Sequence, residues 1–279
     1  MIQENPSKGF VVVASQRIQF LMSAQNLAES ILDYYPEAKI TLFTEQKFID
    51  DVETQKYFTP FEQVLPTLSN TKREKMYGMA NSPYDLTFYL DSDIEIADSD
   101  IVNVFDQLED GKYDMVYVNL TKQGAKHFTE WQWGPNILDD GCAGVPDHLA
   151  HCGGVALYDT RNPLVREFMN DWYKLFLEQE VCKWNPPEFD TIRKGNFRQW
   201  DQLTLWWLIY HSPKYKDLSW KFFDDNYRWN YFTSFGFNTD GTYNMDKMDP
   251  NRDYWKTKSD PVVIHYSSWM DKTGDKGFL

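Results

Sequence analysis

The chain has 279 residues, of which 28 are Lys or Arg and 42 are Asp or Glu, for a formal net charge of −14. That length holds one large α/β domain or two small ones, and no linker-like or repetitive tract divides it, which favours one. The acidity disfavours a duplex nucleic-acid partner, whose phosphates need a basic face, and no stretch approaches the roughly 18 apolar residues of a membrane span.

The amino terminus, MIQENPSKG, lacks a cationic segment followed by an apolar run, so no signal peptide is expected. Cys142, Cys152 and Cys182 are odd in number and lack metal-ligand spacing. They read as free thiols in a reducing compartment, which implies a cytoplasmic location.

Residues 10–14, FVVVA, form a β-branched run suited to a central strand, followed by a polar turn at Ser15-Gln16-Arg17. The pattern then predicts a helix over 19–34, with Leu21, Leu27, Ile31 and Leu32 on or near one face, stopping before Pro36. Residues 39–44, KITLFT, read as a second strand, and 71–79 as a polar helix. The apolar run Leu86-Thr87-Phe88-Tyr89-Leu90 reads as a buried strand. A helix near 101–108 and a strand over 115–119 follow. Strands alternating with helices predict a mainly parallel sheet flanked on both faces. Residues 124–150 are irregular and rich in Gly, Trp and His, a candidate active-site loop.

The strand over 86–90 ends abruptly in Asp91-Ser92-Asp93. In open α/β sheets ligands bind just outside the carboxyl ends of the strands. Two carboxylates there suit Mg²⁺ or Mn²⁺, whose remaining coordination goes to substrate phosphates. The chain repeats the spelling at Asp98-Ser99-Asp100. That copy precedes an apolar-periodic helix start, where Asp98 or Ser99 caps backbone N–H groups and Asp100 favours the positive end of the helix dipole.

Four later features converge on the first copy. The segment His151-Cys152-Gly153-Gly154 opens a strand, and paired glycines allow close backbone approach. Asp201-Gln202 begins a helix through Leu208, where Asp201 serves as a helix cap or as a catalytic group. Residues 261–266, PVVIHY, form a late strand that reaches His265, and Lys272 and Lys276 lie in the Gly-containing tail beyond it. Trp131, Trp133, Trp184, Trp229 and Trp269 fall in or near predicted loops, where indole rings can stack on sugars or simply pack.

In this order, the pieces resemble the GT-A glycosyltransferases, and most closely the glycogenin and galactosyltransferase-like group called family 8. The resemblance runs along nearly the whole chain, and its specific part is the apolar strand ending in Asp91-Ser92-Asp93. It implies a single Rossmann-like α/β domain, with a nucleotide-binding half over 1–120 and an acceptor-binding half with a closing tail over 121–279. The implied reaction is metal-dependent, retaining transfer from a nucleotide-diphosphate sugar, a UDP-sugar by analogy, to an acceptor hydroxyl. Asp91, Asp93 and His265 would hold Mn²⁺ or Mg²⁺, and Asp201 with Gln202 would flank the anomeric carbon. Donor contacts would come from Ala14, Arg17, Lys72, Tyr77, Ser92, Gly153, Gly154 and Lys272. Acceptor contacts would come from Trp131, Trp133, His151 and Trp269. The acceptor itself, a glycan, a protein or a small molecule, stays open.

The chain departs from the group's pattern in two places. Lys272 stands seven residues after His265 rather than six with no Pro-Trp following, and His151-Cys152 replaces an asparagine-serine pair. Two other classes compete. A haloacid-dehalogenase-type phosphatase also places such a motif after a strand, but on its first strand and with Thr or Val where this chain has Glu95. A sugar-binding protein that kept the fold without catalysis is the other.

Overall fold

The computed structural model describes residues 7–49, 56–58, 61–63, 72–119, 151–180, 201–232 and 260–265. The first unit is β1 (Lys8–Ala14), α1 (Ile18–Tyr34) and β2 (Ile40–Thr44). Helix α1 buries Leu21, Ala24, Leu27, Ala28 and Ile31, spaced three and four apart so that one stripe faces the sheet. It stops at Tyr35, ahead of Pro36, because proline disfavours helical backbone in the residue before it. After the short helix α2 (Gln46–Ile49) come β3 (Phe61–Gln63), α3 (Lys72–Ala80), β4 (Leu86–Leu90) and β5 (Ile94–Ile96). A 3-10 segment, Ser99–Gly111, leads to β6 (Met115–Asn119).

The second half supplies β7 (His151–Asp159), α4 (Pro163–Glu180), α5 (Asp201–Tyr210), β8 (Trp220–Phe222), α6 (Asn226–Trp229), β9 (Tyr231–Phe232) and β10 (Val263–His265). Seven strands form one sheet in the order β3-β2-β1-β4-β7-β6-β8. Its pairings are parallel except at β7, which runs antiparallel to both β4 and β6. That reversal positions the site: β7 begins at the same edge of the sheet where β1 and β4 end. It also threads the second half of the chain between two strands of the first.

The sheet is buried on both faces, and the period-2 alternation of its strands sorts side chains into two cores. Phe10, Val12, Phe88, Leu90, Val116, Val155 and Leu157 join α1 and the 3-10 segment on one face. Val11, Tyr89, Met115, Tyr117, Ala156 and Tyr158 join α3, α4 and α5 on the other. Phe88 touches Phe10, Phe223 and Trp229 edge to face, and Trp229 stacks on Phe223 at 5.1 Å. Trp229 is therefore a core residue, and of the two roles open to it, stacking on a sugar or packing, it takes the second.

Two further differences have physical causes. Helix α3 is polar in composition, as expected, yet Glu74, Lys75, Met76 and Met79 are buried, because α4 and the sheet cover it. Helix α4 is not among the sequence expectations, although Val165, Phe168, Met169, Trp172 and Phe176, all buried, carry a helical spacing. Three strands form a second, small sheet in the order β5-β10-β9, with β10 antiparallel to β5 and parallel to β9.

Candidate active site and metal centre

Strand β4 delivers Asp91 to the carboxyl edge of the large sheet, where its N–H donates to Gly154 O at 2.8 Å. The chain then turns through Ser92 and Asp93 into β5, whose Ile94 lies opposite His265 in the β5–β10 ladder. Register thus brings His265 beside Asp93 although more than half the chain separates them: His265 Nε2 is 3.3 Å from Asp93 Oδ1. Ligand atoms of Asp91, Asp93 and His265 all lie within 4.8 Å of one another. The second Asp-Ser-Asp is the cap that its sequence predicts, with Asp98 Oδ1 accepting from Asp100 N at 2.8 Å.

Lys75 lies at the centre of the site's electrostatics, and nothing in the sequence reading singled it out. Its ammonium sits 3.2 Å from Asp91 Oδ2 and 2.9 Å from Asp201 Oδ2, with the side chain only 11% exposed. Burial disfavours the charged form, but Asp201 and then Asp91 outweigh it and hold Lys75 protonated far above its ordinary range. The Tyr89 hydroxyl donates to Asp91 Oδ1 at 2.6 Å, and burial together with the Asp91 charge keeps that phenol from ionising.

Asp201 is 4% exposed at the first turn of α5, where its backbone carbonyl accepts from Trp172 Nε1 and Thr204 Oγ1, both at 2.9 Å. The glycine pair of β7 makes room for these groups. A Cβ at Gly153 would fall 2.6 Å from Asp201 Oδ2, and one at Gly154 2.5 Å from Asp91 Oδ2. The close approach anticipated for the pair is thus, in the first instance, to the protein's own carboxylates.

His265 is 6% exposed, and its Nδ1 lies 2.9 Å from Asn230 Oδ1. An amide oxygen only accepts, so Nδ1 carries hydrogen and Nε2 is the nitrogen turned to the carboxylates. Burial opposes protonation of His265, but the neighbouring Asp93 charge prevails and pushes its pKa up to about 10.

Three carboxylates here face one ammonium, so the cluster lacks positive charge even with the imidazolium counted. Hard carboxylate oxygens with one imidazole nitrogen fit Mn²⁺ or Mg²⁺ better than a thiophilic ion. Asp91 keeps lone pairs for a metal after its two hydrogen bonds, since a carboxylate offers about four acceptor positions.

The remaining sequence expectations fare unevenly. Ala14 is buried at the end of β1 and Arg17 is exposed just after it, at the same edge of the sheet as Asp91. Ser92 is half-buried between the two aspartates. Tyr77 meets Phe43 and Tyr173 edge to face, so its ring contacts are those of the second core. Cys152 is a buried free thiol. Lys72, His151 and Gln202 stand in α3, β7 and α5, but their side chains lie outside the described residues. Trp131, Trp133, Trp184, Trp269, Lys272 and Lys276 lie outside them altogether, as do Cys142, Cys182 and the tail expected to close over the donor. Among the described residues no helix is long and apolar enough to cross a membrane.

The architecture, a mostly parallel sheet flanked by helices, is the GT-A fold seen in solved glycosyltransferases. Solved structures share it at low identity. The bifunctional glycosyltransferase WbbM superposes at TM-score 0.58 with 14% identity over 96% of this chain and 47% of its own. An active-site mutant of LgtC gives 0.51 and 15% over 94% of this chain and 88% of its own. Mouse xyloside xylosyltransferase 1 gives 0.52 and 12% over 93% and 98%. The chain thus spans about half of WbbM and most of the other two. No family model matches the sequence, and no curated protein does.

Proposed function

We propose that this chain is a metal-dependent glycosyltransferase that moves a sugar from a nucleotide-diphosphate donor, of the UDP-sugar type, to an acceptor hydroxyl. One observation carries the reading: the Asp91, Asp93 and His265 ligand atoms gather within 4.8 Å at the carboxyl edge of the sheet. The fold supports it, because the chain shares its architecture with glycosyltransferases. On this reading residues 1–120 hold most of the nucleotide, and residues 121–279 shape the acceptor side and the closing tail.

Asp91, Asp93 and His265 would hold Mn²⁺ or Mg²⁺. A divalent ion bound there supplies electrostatic stabilisation of charge on the departing diphosphate. In the reaction the bond from the anomeric carbon to the diphosphate oxygen breaks, and its electron pair stays with the diphosphate. The acceptor oxygen bonds to that carbon and gives its proton to the diphosphate. Asp201, fixed by Lys75, places a permanent negative charge beside the carbon as positive charge develops on it. The Asp201 carboxylate is engaged at Oδ2 by the buried Lys75 ammonium, 2.9 Å away, which competes with the acceptor hydroxyl for that oxygen. That favours proton transfer to the leaving group on the donor face, and hence retention of configuration.

The test pairs affinity with turnover. Asp91→Asn and Asp93→Asn keep size and remove charge, and should abolish Mn²⁺-dependent stabilisation by nucleotide diphosphates as well as transfer from a nucleotide sugar. A wild-type protein that nucleotide diphosphates stabilise equally with and without metal would refute metal dependence. Product release as free phosphate from a phosphomonoester would indicate a phosphatase instead. The anomeric configuration of the product, read by proton NMR, decides retention.

A further inference from the structure

Asn230 is fully buried, caps the end of α6 and leads into β9, the strand that runs parallel to the one bearing His265. Its amide oxygen lies 2.9 Å from His265 Nδ1, and the other imidazole nitrogen faces Asp93. A ring bonded at Nδ1 cannot rotate about its Cβ–Cγ bond without losing that contact, so the direction of Nε2 is set by where Asn230 stands.

The position of Asn230 is in turn set by Arg228, two residues earlier. The Arg228 guanidinium reaches Asp98 Oδ1 at 3.2 Å and Asp100 Oδ2 at 2.5 Å, and donates through Nε to Asp260 O at 3.3 Å. Its carbonyl accepts from Val262 N at 2.7 Å, immediately before β10. Asp225 begins the same short helix by accepting from Arg228 N at 3.3 Å. The second Asp-Ser-Asp therefore does more than cap the 3-10 segment: through Arg228 it grips both α6 and the approach to β10.

We infer that Asn230 is a positioning residue for His265, held in place by the Arg228 clamp on Asp98 and Asp100, and that it aims Nε2 into the site bounded by Asp91 and Asp93. The inference rests on the metal-site reading above. It assigns the two Asp-Ser-Asp copies complementary parts, the first offering ligands and the second anchoring the element that orients the third. Partners of this kind fix the ligand's direction before the ion arrives, and their loss typically costs about 10–100-fold in metal affinity.

The experiment is a Mn²⁺ titration of the full chain near neutral pH, with free Mn²⁺ read by electron paramagnetic resonance, beside thermal unfolding of the metal-free protein. Asn230→Leu, similar in size but unable to accept, should raise the Mn²⁺ Kd by about 10–100-fold. Asn230→Asp restores an acceptor at the same place and should recover most of that loss. Arg228→Met leaves Asn230 and every metal-facing residue unchanged and should weaken Mn²⁺ binding several-fold. If Asn230→Leu does not fold, Arg228→Met and Asn230→Asp decide, and an unchanged Kd in Arg228→Met overturns the clamp.

Lower metal-free stability with unchanged Mn²⁺ affinity in Asn230→Leu overturns the positioning role and leaves the metal site intact. So does an Asn230→Asp variant that binds as poorly as Asn230→Leu. A wild-type protein that takes up no Mn²⁺ overturns the metal reading and this inference together.

Discussion

Replacing Lys75 by Met would leave Asp91 and Asp201 facing each other with no cation between them. Removing one partner of a buried ion pair costs about 3 kcal/mol or more, because the charge left behind stays desolvated. Urea unfolding of Lys75→Met should show that loss, and the same change should halt transfer. A variant as stable as wild type would mean that the pair is weaker than its 2.9 Å separation suggests. His265 makes a prediction of the opposite kind. Its pKa stands at about 10 in the free protein, so at neutral pH a metal must displace a proton. Apparent Mn²⁺ affinity should therefore rise about tenfold per pH unit from pH 7 towards the His265 pKa and level off above it. Binding in weak buffer at neutral pH should release about one proton, detectable with an indicator dye. A flat affinity profile over that range would mean that His265 is already neutral. The aspartates and His265 could be read from the sequence because each ends an apolar strand. Lys75 could not, since a lysine in KREKMYG looks solvated until α4 is known to cover that helix.

At the scale of elements, β7 is where sequence and structure say different things about the same residues. The glycines suggest a ligand path, whereas the structure uses their missing side chains to admit two carboxylates. Gly154→Ala should displace Asp91, and Gly153→Ala should disturb the contact of Lys75 with Asp201. The first is expected to weaken Mn²⁺ binding by about tenfold or more, the second to spare it and lower the transfer rate. Equal effects of the two on Mn²⁺ Kd would show that the glycines do not separate the two carboxylates.

The start of β4 carries a pH-dependent tie to the start of β1. Asp85 accepts from both N and Oγ of Ser7 at 2.9 Å, and these bonds lower its pKa. A carboxylate whose folded pKa is depressed adds stability above its ordinary pKa and loses it as pH falls through the folded value. Asp85→Asn should thus cost stability at pH 7, and the gap to wild type should close as the solution is acidified below about pH 4. Thermal unfolding at several pH values checks this, and a constant gap would place the effect in packing. Mostly apolar runs of five or six residues made β1, β2, β4, β6 and, through residues 261–266, β10 readable. β5, β8 and β9 are two or three residues long, too short to show a period, and exist because the sheets around them supply partners.

For the whole molecule, alternation of strands and helices predicted the layered sheet, but not its order. The antiparallel entry of β7 between β4 and β6 has no local signal, because register depends on which neighbours bury which face. That one choice decides the site's composition. Were β7 to run the other way, Gly153 and Gly154 would lie at the far edge of the sheet, and Asp91 would have no such neighbour.

The junction between the two sheets bears on how the protein comes apart. Asp91 and Asp93 sit at the end of β4 while His265 ends β10, so an ion held by all three would close a loop of more than half the chain. Contacts of such sequence separation form late, after local units have condensed, because the entropy of closure must be met first. An interaction absent from the transition state slows unfolding without hastening folding. Saturating Mn²⁺ should then shift only the unfolding arm of the urea chevron, leaving the refolding arm superimposed on that of the metal-free protein. In this respect the metal would act as a latch on the finished fold, and its removal would shorten the protein's lifetime under denaturing stress more than it delays refolding.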